Sequence, residues 1–193
     1  MEFLQQHAIE IVGLVLGLFY LYYEYHASAK VWIFGLLMPL ISMVVYFRAG
    51  LYADFSINIY YFLAAAYGLV KWRGLDNKGV GVPITRASAR VMAGCAGVTA
   101  VIWFLIWLLL TRFTNSTVPV ADAFTTALSI VAAWMMARKY LQQWWAWIVV
   151  DIVCGALYIY KDIPFYAVLY AVYTVVAVAG YRKWLRLMPP SQP

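Results

Sequence analysis

The chain has 193 residues, 66% of them hydrophobic and only 11% charged, and its mean hydropathy is strongly positive. A soluble domain carries about 25% charged residues, so this composition excludes a water-soluble globule. At about 20 residues per span the length holds roughly seven membrane helices with short loops, and the net charge of +6 is better explained by its distribution along the chain than by nucleic acid.

The first span is predicted over residues 9–25. No Lys or Arg precedes it and no small-residue cleavage site follows it, so it reads as a retained helix and not a signal peptide. His7 and His26 flank it without metal-ligand spacing and read as solvated. The second span, 31–47, contains Pro39, which removes a backbone hydrogen bond and predicts a kink. In the third, 51–70, the spacing of Asn58, Tyr61 and Ala65 puts them on one face, and the Asn58 amide both donates and accepts. Residues 74–83, with their glycines and charges, form the one real loop, and the fourth span covers 90–110. The fifth, 121–136, opens with Asp122, which, like Glu10 and Asp54 at other outer helix ends, suits the helix dipole or a cap.

The sixth span, 144–160, holds Asp151 at mid-membrane depth. An ionisable group there costs at least about 2.5 to 3.5 kcal/mol, so it needs a partner, water or a ligand. Trp144, Trp147 and Asp151 follow spacings of three and four and share a face. Indole faces beside a carboxylate suit a flat cation, an attraction of about 2 kcal/mol when desolvated. Two readings stand for Trp144, cage wall or interfacial anchor; the anchor fits Trp144 and Trp145 better than Trp147. The seventh span, 164–181, carries Tyr170 and Tyr173. Cys95 and Cys154 sit in apolar runs as small core residues, and neither a disulfide nor a zinc site is expected.

Short connections make the helices antiparallel neighbours, and the basic residues then sort by side. Arg48, Arg112 and Lys161 fall on one side and the other eleven of the fourteen Lys and Arg on the opposite one. The positive-inside rule therefore predicts an outer amino terminus and a cytoplasmic carboxyl terminus.

A shift of 112 residues lays the first three spans on the last three. It superposes Leu16 on Leu128, Trp32 on Trp144, Tyr46 on Tyr158, Tyr61 on Tyr173, Gly68 on Gly180, Lys71 on Lys183 and Trp72 on Trp184. It also places Glu10 on Asp122, Asn58 on Tyr170 and Pro39 on Asp151. With one span between the halves, both enter the membrane from the same side. The expected fold is an all-α polytopic membrane protein of seven transmembrane helices in a 3+1+3, SWEET-like plan with parallel repeats. Its parts are a first repeat (1–73), a loop and linker helix (74–116) and a second repeat (117–193). In such transporters substrate binds near the midplane between halves that rock.

The glycines after Lys78 lack the ending of a phosphate loop, and no hydrolase or zinc-protease motif is present. An intramembrane enzyme, for which Asp151 lacks a second catalytic group, and a non-catalytic scaffold are the rival classes. Within transport the rival is proton coupling through Asp151.

The segments Tyr20-Leu-Tyr-Tyr-Glu-Tyr, Gly50-Leu-Tyr-Ala-Asp-Phe, Asn58-Ile-Tyr-Tyr and Tyr67-Gly resemble the PnuC family of bacterial B-vitamin transporters. So do Leu128-Ser-Ile, Arg138-Lys-Tyr-Leu, Trp144-x-x-Trp147 with Asp151, and Gly180-Tyr-Arg-Lys-Trp. The resemblance implies an inner-membrane homotrimer without cofactor or metal. It also implies facilitated diffusion of an unphosphorylated vitamin that a cytoplasmic kinase then traps. Members carrying nicotinamide riboside have Asn and Gln where Asp151 and Asn58 stand. A carboxylate facing a cationic ring, and pairing with an aminopyrimidine, leads to an expectation of thiamine, with nicotinamide riboside as the alternative. The substrate-binding residues expected are Asn58, Tyr61, Trp144, Trp147, Asp151, Tyr170 and Tyr173.

Overall fold

The computed structural model describes residues 8–48, 50, 52–74, 81–114 and 116–189, with the side chains of 8–14 and 52–54 left aside. Seven α-helices run through the described residues: α1 (Ala8–Tyr25), α2 (Val31–Arg48), α3 (Tyr52–Arg73), α4 (Ala89–Phe113), α5 (Pro119–Ala137), α6 (Gln143–Tyr160) and α7 (Pro164–Leu187). Five of them, α2 and α4 to α7, are long and apolar enough to cross a membrane. In α3 the tyrosines, Asn58 and the basic end dilute the apolar run. His7 lies outside the described residues, as do the side chains of Glu10 and Asp54.

Side chains are distributed as a membrane demands. Along α4 only Thr99 is buried, and Val98, Val101, Phe104, Leu105 and Phe113 are exposed. Such an outward apolar surface is favourable only against hydrocarbon. On the basic side, Lys30, Lys71 and Arg138 lie over the rings of Tyr23, Tyr67 and Trp134 at 5.7 to 5.8 Å. In each contact the charged head itself lies over the ring face, a cation–π arrangement.

The chain forms two compact units, residues 1–82 and 83–193. In the first, α2 packs on both α1 and α3; in the second, α4 packs on α5, α5 on α6 and α6 on α7. Local signals set the helix ends. Ser88 accepts from the Val91 amide and caps α4. Pro119 and Pro164 open α5 and α7, where a missing N–H costs nothing. Asp122 does not cap α5: the helix begins three residues earlier, so the carboxylate sits inside it, accepting from Ser116 Oγ at 2.9 Å with Lys161 Nζ at 3.9 Å.

The helix exits follow the 112-residue shift closely. Ala27 and Lys139, at φ 50° and 52°, occupy the left-handed region, and so do Gly50 and Asp162, at 72° and 57°. Ala27 N donates to Glu24 O and Ser28 N to Tyr23 O, both at 2.9 Å. Lys139 N donates to Met136 O at 2.8 Å and Tyr140 N to Met135 O at 3.0 Å. Each is the paired 5→2 and 6→1 closure that satisfies the last carbonyls of a helix. Gly50 N to Phe47 O and Asp162 N to Ile159 O repeat the correspondence. Lys139 is also half-buried in its turn, and burial pushes its ammonium below the ordinary value.

Side-chain packing repeats too. The Trp32 ring lies against Gly68 and edge-on to Trp72 at 5.4 Å, and the Trp144 ring lies against Gly180 and edge-on to Trp184 at 5.6 Å. A Cβ at either glycine would penetrate an indole. These glycines let α2 approach α3, and α6 approach α7, over a fully seated tryptophan.

Before α4 the chain runs extended across the α5–α6 turn. Thr85 N donates to Lys139 O at 3.1 Å and accepts through its own carbonyl from Leu141 N at 2.9 Å. Gln142 completes the staple: its Oε1 accepts from Ala87 N at 2.8 Å and its Nε2 donates to Ala87 O at 3.3 Å. Trp103 Nε1 donates to Val120 O at 2.9 Å and ties α4 to α5.

Candidate functional site

In the second unit α6 and α7 are antiparallel and present matching stripes. On α6 the stripe is Trp144, Trp147, Asp151, Cys154 and Tyr158; on α7 it is Tyr166, Tyr170, Tyr173, Ala177, Gly180 and Trp184, each set spaced by three and four. The stripes meet in order. Trp144 lies on Gly180 and Trp184 at one end. Tyr173 and Tyr170 lie within electrostatic range of Asp151. Cys154 lies within electrostatic range of Tyr170 and Thr125. At the far end Tyr158 stacks on Tyr170 at 5.4 Å and on Tyr166 at 5.0 Å, with planes only 20° and 22° apart.

Asp151 is 7% exposed and stands midway along α6. Desolvation of a carboxylate at that depth is costly, and among the described residues its neighbours are neutral hydroxyl, thiol and indole groups rather than a cation. Such a setting favours a ligand that brings its own positive charge. Trp147 is half-buried one turn away, and its indole N–H has no hydrogen-bond partner among the described residues. A cationic ring stacked on the Trp147 face with its charge toward Asp151 pairs the carboxylate and gains a cation–π contact.

Four of the expected residues, Trp147, Asp151, Tyr170 and Tyr173, therefore share this α6–α7 face. Trp144 belongs to the same stripe but is 2% exposed, with Gly180 and Trp184 against its ring. It is consequently not an interfacial anchor; Trp145, 54% exposed and edge-on to Tyr181, has that placement. Asn58 and Tyr61 lie in the first unit, both half-buried on α3. Tyr61 packs edge-on to Tyr60 at 5.5 Å and interacts with Tyr20, which also senses Glu24.

Several polar groups escaped the sequence reading. Glu24 is 3% exposed at the end of α1, where a helix-end position conceals its burial. Cys154 is half-buried and lies on the same stripe as Asp151. Gln143, 0% exposed, precedes Trp147 by one turn and Asp151 by two. The spacing of four from 143 to 147 to 151 was the available signal, hidden because Gln143 sits at the polar start of the span.

Comparison with known proteins identifies the family. A family profile described as "Nicotinamide mononucleotide transporter" matches residues 7–186. The chain is similar to the nicotinamide riboside transporter PnuC of Escherichia coli K12, 21% identical over 92% of this chain and 84% of that one. It is also similar to the riboflavin/roseoflavin transporter RibM of Streptomyces davaonensis, 28% identical over 97% of this chain and 91% of that one. A crystal structure of the vitamin B3 transporter PnuC matches with a TM-score of 0.72 at 24% identity, covering 96% of this chain and 83% of that one. The family and these relatives are transporters, not enzymes. With the profile running from before α1 to the end of α7, the chain belongs to the nicotinamide mononucleotide transporter, or PnuC, family.

Proposed function

We propose that the chain carries an unphosphorylated, cationic B-vitamin across the bacterial inner membrane by facilitated diffusion, and that the vitamin is nicotinamide riboside. The observation that carries this reading is Asp151, a buried carboxylate beside Trp147, Tyr170 and Tyr173, which suits a flat aromatic cation. The relatives' names replace the thiamine expected from sequence, since they carry nicotinamide riboside or riboflavin. Riboflavin is the second reading, favoured by the extent of the match to RibM; its uncharged ring makes less use of Asp151.

Further parts of the proposal rest on the repeat and the charge distribution. The matched left-handed exits and the two Trp–Gly contacts support parallel three-helix repeats in a 3+1+3 order. The eleven basic residues on one side support an outer amino terminus and a cytoplasmic carboxyl terminus. The homotrimer and the trapping kinase come from the family resemblance.

Calorimetry on purified protein with nicotinamide riboside, riboflavin and thiamine tests the substrate. Nicotinamide riboside is expected to bind most tightly, and Asp151→Leu, which removes every polar contact at that position, to weaken it by about ten- to a hundredfold, whereas Asp151→Asn, the residue that the resemblance gives to carriers of this vitamin, is expected to retain binding. Tighter binding of riboflavin or thiamine by the unaltered protein would overturn the assignment. Proteoliposome uptake that ignores an imposed pH gradient is the outcome expected of a facilitator, and uptake that follows the gradient would make Asp151 a proton carrier.

A further inference from the structure

Buried polar atoms lacking a hydrogen-bond partner among the described residues are concentrated in one place. Gln143 Nε2, Gln143 Oε1, Trp144 Nε1 and Trp147 Nε1 all lie within five residues at the start of α6; Trp32 Nε1 in α2 repeats the state of its counterpart Trp144 Nε1, so the atoms peculiar to α6 are those of Gln143 and Trp147. Buried polar groups are ordinarily paired, so a cluster of orphans needs an explanation. The repeat shows that packing does not require an amide there. Shifted by 112 residues, Gln143, Trp147 and Asp151 fall on Val31, Gly35 and Pro39, and Val31 is as fully buried as Gln143, at 0%. In the first unit Gly35 is closed off by Tyr20 and Ala65, each 3.4 Å from where a Cβ would stand. One half thus has an apolar, filled face where the other has an amide, an indole and a carboxylate in line.

The adjacent residue shows what a glutamine in this segment does when it has a partner. Gln142 both accepts from and donates to the peptide group of Ala87. Gln143 has the same donor and acceptor pair and no partner for it among the described residues. We propose that Gln143 is a specificity-determining residue that forms such a two-way pair with an amide or imide group at one end of the transported vitamin. Trp147 then lies under its ring and Asp151 faces its hydroxylated end.

The dimensions agree. Asp151 stands two turns, about 12 Å, along the axis from Gln143, with Trp147 midway. A single aromatic ring with a carboxamide on one side and a sugar on the other spans that interval once a hydrogen bond is added at each end. A carboxylate accepts from two neighbouring hydroxyls and also favours the positive charge where sugar and ring join. Because Gln143 is wholly buried, the packing over it parts before a ligand reaches it, as alternation between the two membrane faces demands.

The inference rests on the proposed transport of a ring-bearing vitamin, and the test separates the two. Binding of nicotinamide riboside and of pyridinium riboside, which lacks the carboxamide, is measured by calorimetry on the unaltered protein and on Gln143→Leu, with Gln143→Met as a second variant. The unaltered protein is expected to favour the amide-bearing ligand. Gln143→Leu is expected to weaken nicotinamide riboside by about tenfold or more and pyridinium riboside by less than about twofold. A second readout distinguishes a ligand-facing amide from a structural one. Removing an unpaired buried amide raises the melting temperature of the ligand-free protein, whereas losing a structural one lowers it. Equal weakening of both ligands, no weakening, or a lowered melting temperature in both variants would overturn the role of Gln143 and leave the transport reading intact. Failure of the unaltered protein to bind either riboside would overturn the transport reading and this inference together.

Discussion

Gly180→Ala tests how the second unit is held together. A Cβ on Gly180 would stand 2.5 to 2.7 Å from three carbons of the Trp144 ring, whereas ordinary carbon contacts begin near 3.5 Å. Trp144 is 2% exposed and has the Trp184 ring edge-on at 5.6 Å, so the indole has nowhere to retreat. Relief then requires α6 and α7 to separate by about 1 Å or Trp144 to leave its rotamer, an overpacking cost of about 1–3 kcal/mol. For a chain of this size that lowers the melting temperature by roughly 2 to 10 °C. The assay is thermal unfolding of purified protein in detergent, run as a cycle with Trp144→Leu, which makes room for the methyl group. Trp144→Leu is expected to cost stability by itself, and Gly180→Ala to cost little in its presence, a coupling of about 1 kcal/mol or more. An unchanged melting temperature in Gly180→Ala, or additive effects of the two changes, would refute the packing argument. Gly68→Ala with Trp32→Leu is expected to give the same pattern in the first unit.

Three further outcomes follow from the same geometry. Trp147→Leu should weaken binding of a cationic vitamin by about 2 kcal/mol, read by ligand titration, and should leave melting of the ligand-free protein nearly unchanged. Ala27→Gly and Lys139→Gly should each stabilise by up to about 1 kcal/mol, because a Cβ is disfavoured in the left-handed region, while Gly50→Ala destabilises by a similar amount in thermal melts. Burial holds the Lys139 ammonium below its ordinary 10.5, so between that lowered value and 10.5 the unfolded chain binds more protons than the folded one. This contribution to stability therefore rises with pH in that window, and melting curves of Lys139→Met across it should lack the rise.

The bundle was legible because its driving force is written in the chain: long apolar runs broken by short polar turns place seven helices to within a few residues. Where the reading stopped short, hydropathy and hydrogen bonding part company. The third and seventh spans were ended at 70 and 181, but α3 and α7 run on to Arg73 and Leu187. Their basic final turns carry Trp72 and Trp184, buried at 4% and 0%, so tertiary packing extends the helices beyond the apolar stretch. Asp151 was legible as a charge where charges are expensive. Tyr170 and Tyr173 were legible only through the 112-residue shift that lays Asn58 and Tyr61 on them, since one tyrosine among many carries little information. Gln143 was not legible, because a glutamine at a helix start is ordinarily wet and only packing reveals that this one is dry. The staple before α4 is not legible in the sequence, since the reciprocal bonds of Gln142 with Ala87 link positions 55 residues apart.

That staple also bears on how the chain divides. Thr85 and Ala87 fasten the segment before α4 to the α5–α6 turn, and Trp103 fastens α4 itself to Val120. The middle helix is therefore not a neutral spacer shared by two halves; it is bound to one of them. Cut after Val82, the gene would yield a three-helix and a four-helix polypeptide, each with its internal hydrogen bonds whole. Cut after α4, it would sever the Trp103 bond and strand the linker helix with the wrong partner. Two-chain expression of the first kind is the route to building hybrid transporters from different relatives, with each inherited module ending where its own contacts end.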